Sequence, residues 1–65
     1  MELTFKLEHE EITNGDLIRL WIATNGKDYR YICTVDSSDE YALRDLADLV
    51  SNLYELGYKR DWMCE

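Results

Sequence analysis

The chain has no proline, and its 65 residues include only three glycines, two cysteines and one histidine. Each shortage excludes something. Without Pro and with so little Gly there is no linker, collagen-like stretch or low-complexity tail. A lone histidine, His9, with no Gly-rich loop and no Cys-x-x-Cys spacing, leaves no ligand set for a metal and no nucleophile–base pair, so no enzymatic activity, metal or cofactor is expected. Cys33 and Cys64 lie far apart in sequence and are expected as two free thiols of a reducing compartment.

Positive charge is also scarce. Seven basic residues face 14 acidic ones, for a formal net charge of −7. Phosphate contacts need clustered Lys and Arg, so direct binding to nucleic acid is disfavoured and a basic partner is favoured. No apolar run approaches the roughly 18 to 20 residues of a membrane span, and Met1-Glu2-Leu3 does not open a basic-then-apolar signal segment. The expectation is a cytoplasmic protein with no membrane partner.

What remains is enough to fold. Apolar residues make up 46% of the chain, too many for a disordered acidic tail, and residues 1–65 allow one small domain whose core supplies only a few kcal/mol. Two Asn-Gly pairs, Asn14-Gly15 and Asn25-Gly26, separate runs of β-branched and aromatic residues, as in tight hairpin turns. They predict a three-stranded antiparallel meander over residues 2–12, 17–24 and 29–35. Two-residue turns at both pairs would set Leu7 opposite Ile22, His9 opposite Leu20, Ile22 opposite Tyr29 and Leu20 opposite Tyr31. One face then collects Leu3, Phe5, Leu7, Ile18, Leu20, Ile22, Tyr29, Tyr31 and Cys33 as the core. The other carries Glu10 with Arg19, Glu8 with Trp21, and Trp21 with Arg30, together with Ile12, Leu17 and Ile32.

Beyond Val35 the period becomes helical. Ser37-Ser38-Asp39-Glu40 reads as a capping box with Ser37 as the cap, and Ala42, Leu46, Leu49, Val50 and Leu53 recur at intervals of three and four or their sums. Gly57 is placed for a left-handed cap. One amphipathic helix over residues 38–56 is expected to cover the core face, giving an α+β fold of βββα order. The stretch from Tyr58 to Cys64 fits either a short fourth strand parallel to its neighbour or a helical turn with Trp62 under the helix end.

The polar side of the helix carries the functional signal. Asp45, Asp48, Asn52 and Glu55 share one stripe, extended by Asp39 and Glu40 at the helix start. From Asp36 to Leu56 there are six acids and a single base, Arg44, and no lysine occurs between Tyr31 and Gly57. A surface helix that is merely solvated intersperses Lys four residues from Glu; this one does not, although like charges at such spacing destabilise a helix by a few tenths of a kcal/mol per pair. A second acidic group, Glu8, Glu10, Glu11 and Asp16, surrounds the first hairpin and would either add to the same field or protect an edge strand from aggregation. Tyr54, with Tyr41 and Tyr58, is a candidate apolar anchor for a partner. His9 lies on the face opposite Glu8 and Glu10 and is expected as an edge-strand side chain rather than a ligand or base.

The run Asn14-Gly15-Asp16-Leu17-Ile18-Arg19-Leu20-Trp21-Ile22, then Asn25-Gly26-Lys27-Asp28-Tyr29, then a capped acidic helix ending Asn52-Leu53-Tyr54-Glu55-Leu56-Gly57-Tyr58, resembles the small acidic anti-CRISPR proteins of phages and prophages. It looks most like the type II-A inhibitors that occupy the DNA-entry site of an RNA-guided nuclease, although Lys59-Arg60 stand where that pattern would carry further acids. The resemblance implies a non-enzymatic inhibitor that mimics DNA toward a basic nucleic-acid-handling host protein, a CRISPR effector nuclease being the type case, in the host cytoplasm. Asp45, Asp48 and Glu55 would stand in for phosphates. The competing reading is a small regulatory or structural interaction module, a homodimer through the Trp21, Leu17 and Ile32 face of the sheet. Monomer and homodimer are both compatible with the sequence.

Overall fold

The computed structural model describes residues 2–61. Four strands and one helix follow in the order β1 (Thr4–Ile12), β2 (Gly15–Ala23), β3 (Arg30–Asp36), α1 (Glu40–Glu55) and β4 (Lys59–Arg60). The sheet order is β3-β2-β1-β4. The first three strands form the expected antiparallel meander, and β4 runs parallel to β1. The closing element is therefore a short strand and not a helical turn. It is held by Lys59 N–H donating to Leu3 O at 3.0 Å and Asp61 N–H donating to Phe5 O at 2.7 Å. Trp62, Met63 and Cys64, for which an ordered tail and a second thiol were expected, lie outside the described residues.

The first hairpin turns one residue earlier than the Asn-Gly pair suggests. Ile12 pairs with Gly15, so Thr13 and Asn14 make the turn and Gly15 opens β2; Leu7 faces Leu20 instead of Ile22, and His9 faces Ile18 instead of Leu20. A shift of two residues keeps every side chain on its face. Phe5 and Leu7 accordingly sit on the core side with Ile18, Leu20 and Ile22. The second connection is not a two-residue turn. Residues 24–29 form a loop in which Asn25 Oδ1 accepts from the backbone N–H groups of Lys27 (2.9 Å) and Asp28 (2.8 Å). Side-chain capture of the following backbone is what lets Asn support turns.

Between β2 and β3 the register breaks. Leu20 pairs with Cys33 but Trp21 pairs with Tyr31, so Ile32 is an extra residue, a β-bulge. The bulge turns Tyr31 away from the expected core position: it stands 53% exposed, edge-on to Trp21 with ring centroids 5.6 Å apart. Tyr29 leaves the core as well, its ring under Lys6 Nζ at 4.6 Å on the back of the sheet. Arg30 pairs with Ile22 instead of Trp21.

The helix covers the other face. Its cap is Asp39, not Ser37: the Asp39 carboxylate accepts from the N–H groups of Tyr41 and Ala42. Ser37 is engaged elsewhere, its N–H donating to Asp16 O and its Oγ accepting from Asp16 N–H, both at 2.8 Å, which extends the β2–β3 pairing by one step. Gly15 permits that approach, since a Cβ there would lie 2.7 Å from Ser37 Oγ. At the far end Gly57 takes φ +96°, donating to Tyr54 O while Tyr58 N–H donates to Leu53 O, the paired bonds of a Schellman cap. Phe5 and Leu20 are fully enclosed between sheet and helix, with Leu46 and Leu53 above them. Each such side chain contributes about 1.5 to 3 kcal/mol of burial.

Candidate binding surfaces

Two surfaces flank this core. On the helix, Leu46 and Leu53 point inward, so Asp45, Asp48, Asn52 and Glu55 fall on the far side and all four are exposed. Among the described residues none of Asp45, Asp48 and Glu55 has an ion-pair partner. Arg44, four residues from both Glu40 and Asp48, makes no bridge to either. The last turn contains no basic residue, so Glu55 adds its charge to the negative end of the helix dipole. That placement is locally unfavourable and leaves an attractive potential for a cation. Glu40 and Asp39 begin the stripe, and the Asp39 carboxylate is spent in part on the cap.

The aromatic side chains divide. Tyr54 turns back toward the sheet, edge-on to Phe5 with centroids 5.2 Å apart, and remains 52% exposed. Tyr41, one turn before Asp45 and 79% exposed, stands within the acidic stripe itself. Sequence reasoning named Tyr41 only as a possible lining residue; its position four residues before Asp45 and seven before Asp48 was the available signal.

The acids of the first hairpin divide: Glu11 and Asp16 face each other across the strands on the helix side of the sheet, and the other two do not. Glu8 and Glu10 lie on the back of the sheet, where Arg19 bridges both, to Glu10 at 3.0 Å and to Glu8 at 3.6 Å. The Glu10 hydrogen bond and charge push the Arg19 guanidinium above its ordinary value. These acids are thus partly neutralised within the chain. His9 is exposed and pairs across the strands with Ile18.

The back of the sheet is organised by Tyr29. Its hydroxyl lies 2.6 Å from Asp61 Oδ2 and 3.0 Å from Thr4 Oγ1, and Lys6 Nζ sits over both the Tyr29 ring and the Trp21 ring, at 4.6 and 5.5 Å. Burial first, and then the hydrogen bond to Asp61, raise the Tyr29 hydroxyl above the usual phenol value. Trp21 Nε1 is enclosed with no hydrogen-bond partner among the described residues. Nearby, Ile22, Ala23, Thr24, Asp28 and Arg30 line a shallow depression of about 290 Å³.

Among the described residues no group of three His, Cys, Asp or Glu side chains could hold a metal ion, and no helix is long and apolar enough to cross a membrane. Cys33 is a half-buried free thiol beside the core. No family model matches the chain. No curated protein or solved structure matches it either.

Proposed function

We propose that this is a non-enzymatic acidic protein that docks its helix into the basic, nucleic-acid-binding surface of another protein and blocks that surface by occupying phosphate positions. The observation that carries the reading is the stripe of Asp45, Asp48 and Glu55, without an ion-pair partner among the described residues and running to the negative end of the helix. Its scale is informative. Glu40, Asp45, Asp48 and Glu55 span about 22 Å at the helical rise, a mean spacing of roughly 7 Å, whereas one DNA strand presents a charge per about 3.4 Å. The stripe therefore matches the length of about six base pairs at lower charge density. It suits a short basic contact region rather than a long duplex channel.

In the form its sequence pattern favours, the partner is an RNA-guided nuclease of a bacterial host, met in the cytoplasm, and the chain is a phage or prophage anti-defence protein. Asp45, Asp48 and Glu55 replace phosphates, Asn52 adds a polar contact between them, Glu40 and Asp39 extend the field, and Tyr41 and Tyr54 flank it as apolar contacts. No cofactor takes part.

The test is capture from a bacterial lysate on immobilised protein, with elution by a salt gradient or by duplex DNA. A retained nucleic-acid-binding protein released by both supports the reading, and its cleavage or binding activity is then assayed with the chain added. Retained proteins that ignore DNA and salt would refute it.

A further inference from the structure

Across the middle of the sheet face that the helix leaves uncovered, between Thr4 with Ala23 at one end and Ile12 with Gly15 at the other, the strand register sets three rows of side chains. Lys6, Trp21 and Tyr31 lie side by side across β1, β2 and β3; Glu8, Arg19 and Thr34 form the next row; Glu10, Leu17 and Asp36 form the third. Their formal charges are one positive, zero and two negative. The first row is aromatic and basic and the last acidic with one leucine, while Arg19 of the middle row reaches Glu8 beside it at 3.6 Å and Glu10 of the last row at 3.0 Å, which leaves the acidic excess of the last row mainly on Asp36.

That gradient is complementary to its own reverse. We infer that two copies of this chain pack back to back through these faces, related by a twofold axis lying along the middle row. Such an axis preserves position across the sheet and reverses it along the strands, so it lays the first row of each copy on the third row of the other. Lys6 then meets Glu10 of the second copy, Trp21 meets Leu17, and the Tyr31 hydroxyl faces Asp36. Every contact occurs twice, as an isologous interface requires. Two sheets stacked in this way lie about 10 Å apart, the ordinary sandwich spacing.

The composition of the face favours this occupant. Trp21 and Leu17, half-buried on either side of Arg19, and Tyr31, 53% exposed, supply apolar area on it. With strands about 4.8 Å apart, nine residues long in β1 and β2, seven in β3 and two in β4, the face covers roughly 450 Å² per partner, below the usual size of specific complexes, so the dimer is expected to be weak, with a dissociation constant of about 100 μM, and reversible. The edge of β3 is a weaker route to association, since the bulge at Ile32 disrupts the regular ladder a second strand would need. A back-to-back dimer leaves both acidic helices outward, and the inference does not depend on what those helices bind.

The decisive experiment uses charge reversal and mixing, read by sedimentation between about 10 μM and 1 mM, a range that brackets a constant of about 100 μM. The parent chain should pass from monomer to dimer. Lys6→Glu and Glu10→Lys should each be monomeric across the range, because each sets like charges against each other twice. Mixed one to one, they should form a dimer again, since every reversed position then faces its opposite. Circular dichroism of each variant separates lost pairing from lost folding, and Tyr31→Glu, which sets a carboxylate against Asp36 twice, should also be monomeric. A parent chain that stays monomeric overturns the inference and leaves the face to a different protein. Single variants that dimerise like the parent, or a mixture that stays monomeric although both chains are folded, overturn it equally.

Discussion

The Tyr29 hydroxyl donates to the Asp61 carboxylate at 2.6 Å, joining the chain just before β3 to the chain just after β4 across the back of the sheet. One proton serves one bond, and Thr4 Oγ1 on β1 lies 3.0 Å from the same phenol oxygen. The contact spans the sheet from its β3 edge to its β4 edge, and it helps fasten a strand of only two residues.

Tyr29→Phe should therefore lower stability by about 0.5 to 1 kcal/mol, the lower part of the range for a hydrogen bond because the site is partly open to water. The loss should depend on pH. A hydroxyl whose value is raised in the fold contributes stability that is complete below the unfolded phenol value of about 10 and disappears as pH rises through the folded one. Thermal melts of parent and variant should converge above pH 10. A constant difference would mean that the hydroxyl is not what matters.

The helix start offers a sharper comparison. Asp39→Ala should cost about 1 kcal/mol, while Asp39→Asn, which keeps an accepting oxygen, should be nearly silent. Ser37→Ala acts at a different place, exposing the Asp16 amide rather than a helix N–H. Hydrogen exchange should then quicken at Asp16 in the Ser37 variant and at Tyr41 and Ala42 in the Asp39→Ala variant.

These two residues also show what the sequence conveyed. Ser37-Ser38-Asp39-Glu40 contains three competent cap residues in a row, and only the tertiary pairing of Ser37 with Asp16 removes it from the contest. That pairing joins residues 21 apart in sequence and has no local signature. The hairpins behave likewise. Period-two alternation kept the first one on its correct face despite a two-residue error in register. The bulge at Ile32 reversed the assignment of Tyr29 and Tyr31, because nothing in Tyr31-Ile32-Cys33 marks an extra residue. Helical periodicity, by contrast, located Leu46, Leu53 and the opposing acidic stripe, and Gly57 marked the helix end. The division of the acids into an unpaired helix set and the Arg19-bridged pair Glu8 and Glu10 became visible only with the sheet faces assigned.

Gly57→Ala should destabilise by about 1 kcal/mol although space around it is open, because φ +96° strains any side chain. The measurement is the midpoint of urea unfolding. An unchanged midpoint would show that the Schellman cap contributes nothing.

Acid should weaken the turn into the helix. Backbone and hydroxyl bonds from Ser38 hold the Asp36 carboxyl below its ordinary value, so its contribution is present above the unfolded value near 4 and is lost as pH falls through the folded one. Asp36→Asn should narrow the difference between melts at pH 7 and pH 3. Equal pH dependence in parent and variant would place the acid sensitivity elsewhere.

The central claim is that the helix stripe replaces phosphates, and its most direct measurement is the salt dependence of binding to the captured basic protein, made with the parent chain and with Asp45, Asp48 and Glu55 all changed to Lys. The parent should lose affinity steeply as salt rises. The triple variant should keep its fold with no loss of stability, since it removes crowded like charges from an exposed face, and should not bind at any salt concentration. A folded triple variant that binds with the parent's affinity and salt slope would contradict the account and leave the stripe as solvated surface.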